Sequence, residues 1–146
     1  MKKISSIVRL VVILILAAGC AKNQNQHQQQ IKIPKDAAKM DVAFSWEGTP
    51  ACSHESPEIQ VSNVPDGTVS LRVKLKNVKV PEWNQGGGSV AYDGSGIIPA
   101  GALDIGYNGP CPPDGRIKYE FSVMAVNGEG AIIGFGKARR TFPPKE

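Results

Sequence analysis

The chain has 146 residues, with 17 Lys and Arg against 13 Asp and Glu and a formal net charge of +4. Lys2, Lys3 and Arg9 lie in the first twenty residues, which hold no acidic residue, so the rest of the chain is nearly neutral. Only 6% of the residues are aromatic, so the chain lacks both the basic excess and the stacking rings that favour nucleic-acid binding. We therefore expect no nucleic-acid partner, and the length predicts one folded domain.

The first twenty residues are typical of an export signal. A basic start precedes an apolar run that ends at Ala18, and this run is shorter than the roughly 20 residues of a membrane-spanning helix. The ending Leu16 to Cys20 resembles a lipobox, in which a signal peptidase cuts before a cysteine that carries diacylglycerol. We expect a signal peptide over residues 1–19 and a lipidated Cys20 that anchors the chain to a membrane, with ordinary secretion as the alternative.

Residues 20–40 contain the lipidated cysteine and a segment rich in Gln and Asn, which predicts a flexible tether. Twenty flexible residues reach roughly 25 Å, enough to hold a domain just off a membrane. The predicted location is the cell envelope. Because Ala21 rather than Asp follows the cysteine, we expect the periplasmic side of the outer membrane if the organism has two membranes.

Residues 41–146 are predicted to form a single β-sandwich domain with short strands and Gly/Pro-rich loops. No stretch has a sustained helical period, and seven glycines between Pro81 and Tyr107 exclude a helix there. Asn127-Gly128 predicts a hairpin turn before the last strand. The predicted strands are Val42 to Trp46, Glu58 to Val61, Val69 to Lys76, Ser89 to Tyr92, a segment around Ile97, Lys118 to Val126, and Ala131 to Ala138.

The strand Val69 to Lys76 alternates apolar and polar residues without a break, and the alternation ends at Asn77. A strand terminus and a bulge both explain this change of phase. Arg72, Lys74 and Lys76 share the polar face, and such a basic stripe is interpreted as a solvated surface.

Cys52 and Cys111 are the two cysteines that remain once Cys20 is acylated. Thiols in an oxidising compartment tend to pair. A bridge between them would close a loop of roughly 60 residues and stabilise the fold by about 4 kcal/mol in the chain-entropy model. Two buried thiols are the alternative.

No metal, cofactor or catalytic residue is predicted. A zinc site needs three or four ligands at suitable spacing, and beside the three cysteines the chain has only His27, in the tether, and His54. A serine or cysteine nucleophile would need a positioned base, for which His54 is the one candidate. A small hydrolase is therefore the least favoured alternative.

Three stretches carry a family resemblance: FSWEGTPACSHESPEI from Phe44, NVPDGTVSL from Asn63, and GPCPPDGRIKYEFSVMAV from Gly109. Together they resemble the phosphatidylethanolamine-binding protein (PEBP) family, also called Raf kinase inhibitor-like proteins. The resemblance implies a β-sandwich with an anion pocket that accepts phosphoryl groups or small anions such as acetate and phosphate.

The resemblance also implies where the ligand site lies and how it has diverged. Asn77 stands where the family has the first Asp of Asp-Pro-Asp-x-Pro, and Gln85 is matched to a pocket histidine. Ile117 replaces the histidine of His-Arg-Tyr, whose tyrosine is Tyr119. The candidate ligand-binding residues are Asn77, Gln85, Gly109, Pro110 and Tyr119.

Replacing His and Asp by Ile and Asn removes charge-assisted hydrogen bonds and the acid–base groups. We therefore expect a non-enzymatic, lipid-anchored envelope protein that binds a small anionic or phosphoryl-containing ligand weakly. The alternative is a structural or protein-interaction module without a ligand pocket, with a second copy or another envelope protein as partner.

Overall fold

The structure is a computed structural model that describes residues 31–103 and 106–145. The predicted signal peptide, Cys20, His27 and most of the predicted tether lie outside these residues. The described residues from Lys32 onward belong to one compact unit, and they contain no helix that is long and apolar enough to cross a membrane. Their strands are β1 (Ala38–Lys39), β2 (Asp41–Phe44), β3 (Ile59–Ser62), β4 (Thr68–Asn77), β5 (Gly87–Ala91), β6 (Ile97–Ile98), β7 (Ile117–Asn127) and β8 (Ile132–Phe142).

The strands form two open sheets. One has five strands in the order β1-β8-β7-β4-β5, and the other has three in the order β2-β3-β6. The β1–β8 pair is parallel and the remaining pairs are antiparallel. The predicted all-β class is confirmed, and each predicted strand is present with its ends shifted by a few residues.

The hydrophobic core lies on one face of the five-stranded sheet, where the alternation of β4 and β7 places apolar side chains. Leu75 pairs with Phe121 and Val73 pairs with Val123, and all four are buried. Phe44 extends from β2 to the Phe121 ring, with 4.8 Å between ring centroids. This aromatic contact joins the three-stranded sheet to the five-stranded sheet.

The β7–β8 hairpin closes at the predicted turn. The Asn127 side-chain oxygen accepts hydrogen bonds from the backbone N–H groups of Glu129 and Ala131, at 3.1 and 2.9 Å. The Asn127 N–H donates to the Ala131 carbonyl at 3.0 Å. An asparagine therefore supplies the acceptor that the turn needs, as its enrichment in turns would suggest.

The sheet begins three residues before the boundary at residue 41 that the sequence predicted. Ala38–Lys39 pair with β8, and Met40 is 3% exposed. Gly136 allows this approach, because a Cβ on it would lie 2.6 Å from the Met40 carbonyl oxygen. The Gln-rich composition before Met40 does not predict this start of the sheet, because the close contact depends on a glycine that is distant in the sequence.

The other face of the five-stranded sheet holds a buried carboxylate. Glu120 is 2% exposed, and Lys76 and Lys137 approach its oxygens at 3.2 and 3.9 Å. Arg139 Nε donates a hydrogen bond to the same carboxylate. Burial raises the pKa of Glu120, but the hydrogen bonds from Arg139 and Lys76 and the charges of Lys76 and Lys137 outweigh it and leave the pKa lowered.

Replacing Glu120 by Gln should lower the free energy of unfolding at neutral pH by roughly 1–3 kcal/mol, because three cations lose their shared anion. A lowered pKa in the folded state stabilises the protein above the unfolded value near 4.5, and this stabilisation is lost as the pH falls through the folded value. Urea denaturation between about pH 7 and about pH 3 should show the difference between wild type and Glu120→Gln shrinking on acidification.

Glu129→Gln serves as the matched control, because Glu129 is an exposed carboxylate in the β7–β8 turn. This variant should follow the wild-type curve over the whole pH range. Parallel curves for wild type and Glu120→Gln would contradict the assignment of Glu120 as a stabilising anion.

Candidate functional site

The loop before β7 is held to the segment after β2. Cys52 and Cys111 form the predicted disulfide across 59 residues of sequence, with their Cα atoms 4.4 Å apart. The Cys52 N–H donates to the Pro110 carbonyl and the Gly109 N–H donates to the Ser53 carbonyl, both at 2.8 Å. A Cβ on Gly109 would lie 2.6 Å from the Ser53 oxygen, so the approach requires glycine.

Tyr119 connects this loop to the sheet. It is 1% exposed and is the cross-strand partner of Asn77. Burial raises the pKa of Tyr119, and a hydrogen bond with the Cys111 backbone opposes part of that rise. The phenol therefore stays protonated at neutral pH and is already engaged by the loop.

Asn77 ends β4 and serves as an acceptor for the turn that follows. Its side-chain oxygen accepts hydrogen bonds from the backbone N–H groups of Lys79 and Val80, at 2.9 and 3.2 Å. The residue is 2% exposed. Of the two explanations for the change of phase, the structure supports a strand terminus.

Backbone hydrogen bonds join Gln85 and its neighbour Gly86 to the region of Asn77 and Gly109. Its carbonyl accepts from the Asn108 N–H at 2.9 Å, and the neighbouring Gly86 carbonyl accepts from Leu75 at 3.0 Å. The segment before β5 is thereby joined to β4 and to the residues that precede Gly109.

Two buried polar atoms in these joined segments lack a hydrogen-bond partner within the described residues. They are Gln85 Oε1 and the Tyr107 hydroxyl. Tyr107 stacks on Phe121 with 6.4 Å between ring centroids, and burial raises its pKa well above the ordinary value. Sequence reasoning missed Tyr107, although its position two residues before Gly109 offered a signal.

The structure thus brings the five predicted residues into one region, where four are buried and Gln85 is half-buried. Pro110 and Tyr119 are among the fully buried side chains. Ile117, in the position matched to a family histidine, is half-buried against the core and pairs with Phe142. Where the resemblance implies a titratable residue, this chain therefore has a hydrophobic one.

A cavity of 510 Å³ lies elsewhere in the described part of the chain, beside β2 and β3. Glu47, Glu55 and Glu58 are among its lining residues, so its walls carry negative charge. Its lining contains none of the five predicted residues. The segments 31–103 and 106–145 hold no group of three or more His, Cys, Asp or Glu side chains placed to bind a metal ion, and His54 is exposed.

No protein-family model matches the chain, and none of the curated proteins matches it. Several solved structures are similar. One is described as a PEBP homologue from Chlamydia trachomatis, with 21% identity and a TM-score of 0.51, covering 75% of this chain and 99% of that one. Another is YbcL from E. coli, described as a new member of the mammalian PEBP family, with 19% identity and a TM-score of 0.54, covering 74% and 100%.

The chain has a PEBP-like fold. The match covers essentially the whole length of both of these structures, so the likeness covers the domain rather than a shared fragment. Ser56, in the Ser-Pro part of the first stretch that carries the resemblance, is 1% exposed.

Replacing Cys52 and Cys111 by Ser together should lower the free energy of unfolding by about 4 kcal/mol, because the reduced chain regains the entropy of an open loop. Urea denaturation with and without reductant measures this. Reductant should destabilise the wild-type PEBP-like domain by a similar amount and leave the double variant unchanged. An equal response of both proteins to reductant would contradict the bridge.

Replacing Asn77 by Ala should also act on stability, at a cost of roughly 1–3 kcal/mol, because two turn N–H groups lose their acceptor. The matched control is Asn108→Ala, which removes an exposed amide whose hydrogen bond to the Gly106 carbonyl is 3.1 Å long. Its cost should be smaller. Unchanged stability of Asn77→Ala in the same urea titration would contradict the structural role.

Proposed function

We propose that the protein is a non-enzymatic, lipid-anchored component of the cell envelope whose PEBP-like domain binds a small anionic or phosphoryl-containing ligand weakly. The anchor is supported by the leader and by the lipobox-like ending at Cys20. Two or more acyl chains bury enough methylene groups for stable membrane attachment. The proposed location is the cell envelope, on the periplasmic side of the outer membrane in an organism that has two membranes.

The proposed binding rests on one observation, the pair of buried polar atoms that lack partners, Gln85 Oε1 and the Tyr107 hydroxyl. Buried polar groups in folded proteins are nearly always hydrogen-bonded. A protonated phenol donates a hydrogen bond to an anion, and Gln85 Oε1 accepts one from a protonated phosphate oxygen or from the ammonium group of phosphoethanolamine. Both residues belong to the segments that meet beside Gly109.

The chemistry of these groups supports weak binding without catalysis. Neutral donors make weaker hydrogen bonds to anions than charged ones do. An efficient general acid or base has a pKa near the working pH, whereas burial raises the pKa values of both Tyr107 and Tyr119. Neither tyrosine is therefore suited to exchange protons during a reaction.

The full chain should bind inorganic phosphate or phosphoethanolamine with a Kd of about 1 mM or weaker, because a few neutral hydrogen bonds contribute about 1 kcal/mol each. A thermal-shift titration, supported by chemical-shift changes in NMR spectra, measures this. Tyr107→Phe should weaken the binding about five-fold, because one hydrogen bond of about 1 kcal/mol is lost. Tyr92→Phe is the matched control, because Tyr92 is also partly buried against the core, and it should respond as wild type does.

Two outcomes would contradict this proposal. One is an equal response of wild type and Tyr107→Phe, which would separate the binding from the unpartnered hydroxyl. The other is submillimolar affinity that is lost in Tyr119→Phe, which would indicate a fully working family pocket.

The second candidate function is a protein-interaction module, either as a homodimer or with another envelope protein. The exposed Trp83 favours it, with 57% of its surface accessible in the loop between β4 and β5. Tryptophan is enriched among residues that dominate binding energy at interfaces. A pull-down from envelope extract with wild type and Trp83→Ala, run beside sedimentation of each protein alone, distinguishes this function from ligand binding.

A further inference from the structure

The face of the five-stranded sheet that holds Glu120 carries aligned rows of cations. Cross-strand partners share a face of a sheet, so the pairing determines each row. One row contains Lys39, Phe135, Met124 and Arg72. The next contains Lys137, Ser122 and Lys74, followed by Arg139, Glu120 and Lys76, and then by Thr141 and Lys118. We call this surface the basic face, and its cations are Lys39, Arg72, Lys74, Lys76, Lys118, Lys137 and Arg139.

The basic face has one carboxylate in these rows, and that carboxylate is used internally. Glu120 is buried and contacts three of the cations, Lys76, Lys137 and Arg139. It reduces the repulsion that would otherwise oppose placing three cations side by side on neighbouring strands. The other cations of the face are exposed, so the positive charge as a whole remains directed at the solvent.

Four acidic residues lie on another part of the domain. Asp41 is on β2 and Glu58 lies beside β3, both at the three-stranded sheet. Glu47 and Glu55 line the cavity there together with Glu58. The basic face therefore concentrates positive charge on one surface of a chain that is nearly neutral beyond its leader, and it attracts an anionic surface despite the small net charge.

We propose that the basic face docks on the anionic phospholipid surface of the membrane that carries the lipid anchor. Neighbouring strands are about 4.8 Å apart and the Debye length is about 8 Å at physiological salt, so the rows act on such a surface together. β1 is the edge strand through which the described chain enters this sheet, and Lys39 on β1 begins the first row. An anchor on the preceding segment therefore delivers the basic face to the membrane, and the proposal rests on the anchoring proposed above.

The test uses the full chain, expressed with its leader, purified in detergent and reconstituted into vesicles. One set of vesicles contains phosphatidylcholine alone and the other an equal mixture of phosphatidylcholine and phosphatidylglycerol. An amine-reactive label followed by mass spectrometry measures the labelling rate of each lysine. Lys74, Lys118 and Lys137 report on the basic face, and the exposed Lys79 and Lys145 lie outside its strands.

We expect the lysines of the basic face to be labelled several-fold more slowly on the anionic vesicles, with Lys79 and Lys145 unchanged and high salt restoring the rate. In the double variant Arg72→Gln, Lys74→Gln, the ratio of docked to undocked domain should fall roughly thirty-fold, the factor for two cations near an anionic surface. Neither residue contacts Glu120, so its ion cluster is retained. The matched control Lys79→Gln, Lys145→Gln removes the same charge and should behave as wild type.

Equal labelling of the lysines on neutral and anionic vesicles would overturn the proposal. Protection that depends on protein density rather than on lipid charge would also overturn it, because it would indicate that a second copy of the chain covers the basic face. Equal losses in the two double variants would overturn it too. The mass of the N-terminal peptide reports acylation separately. If the chain is not acylated, its sedimentation with the same vesicles tests the docking proposal. Sedimentation with the anionic vesicles alone supports docking through the basic face. Sedimentation with neither set of vesicles overturns the proposal.

Discussion

Phe121 lies at the centre of the domain with none of its surface exposed. Three rings from two other segments pack on it, with centroids at 4.8 Å for Phe44, 5.7 Å for Trp46 and 6.4 Å for Tyr107. Burying aromatic area in this way contributes more than any single polar contact in the fold. The two sheets and the segment before the disulfide-linked loop therefore depend on one aromatic contact set, centred on β7.

The two faces of β7 serve different purposes because successive side chains point to opposite sides of a strand. On the core face, Tyr119 is two residues from Phe121 and joins the loop through Cys111. On the other face, Glu120 gathers three cations. The proposed ligand region and the basic face are thus built from adjacent residues, and a change at one position of β7 can be tested for its effect on both.

The family resemblance and the packed site point in different directions about function. The fold is PEBP-like, yet the resemblance matches Ile117 to a histidine, and the Asn77 oxygen is used by the turn. What remains for a ligand is a protonated phenol and an amide. Such groups favour weak recognition over catalysis, because they offer neither a charged donor nor a pKa near neutrality.

The sequence by itself determined the strands, the Asn127 turn and the choice of disulfide partners. Alternation and turn chemistry act over a few residues, and two cysteines remained to pair once Cys20 was assigned to acylation. Through the family resemblance it also named Gly109, Pro110 and Tyr119 as ligand-binding residues, and that stays a prediction.

Only the tertiary structure decided the burial of Glu120, the start of the sheet at β1, the unpartnered Tyr107 hydroxyl and the rows of cations. Each depends on which distant strands are neighbours and in what register, as the pairing of Lys76 and Arg139 with Glu120 illustrates. A local pattern marks a basic stripe on β4 as solvated. The register of three strands joins that stripe to others and makes it one face of the domain.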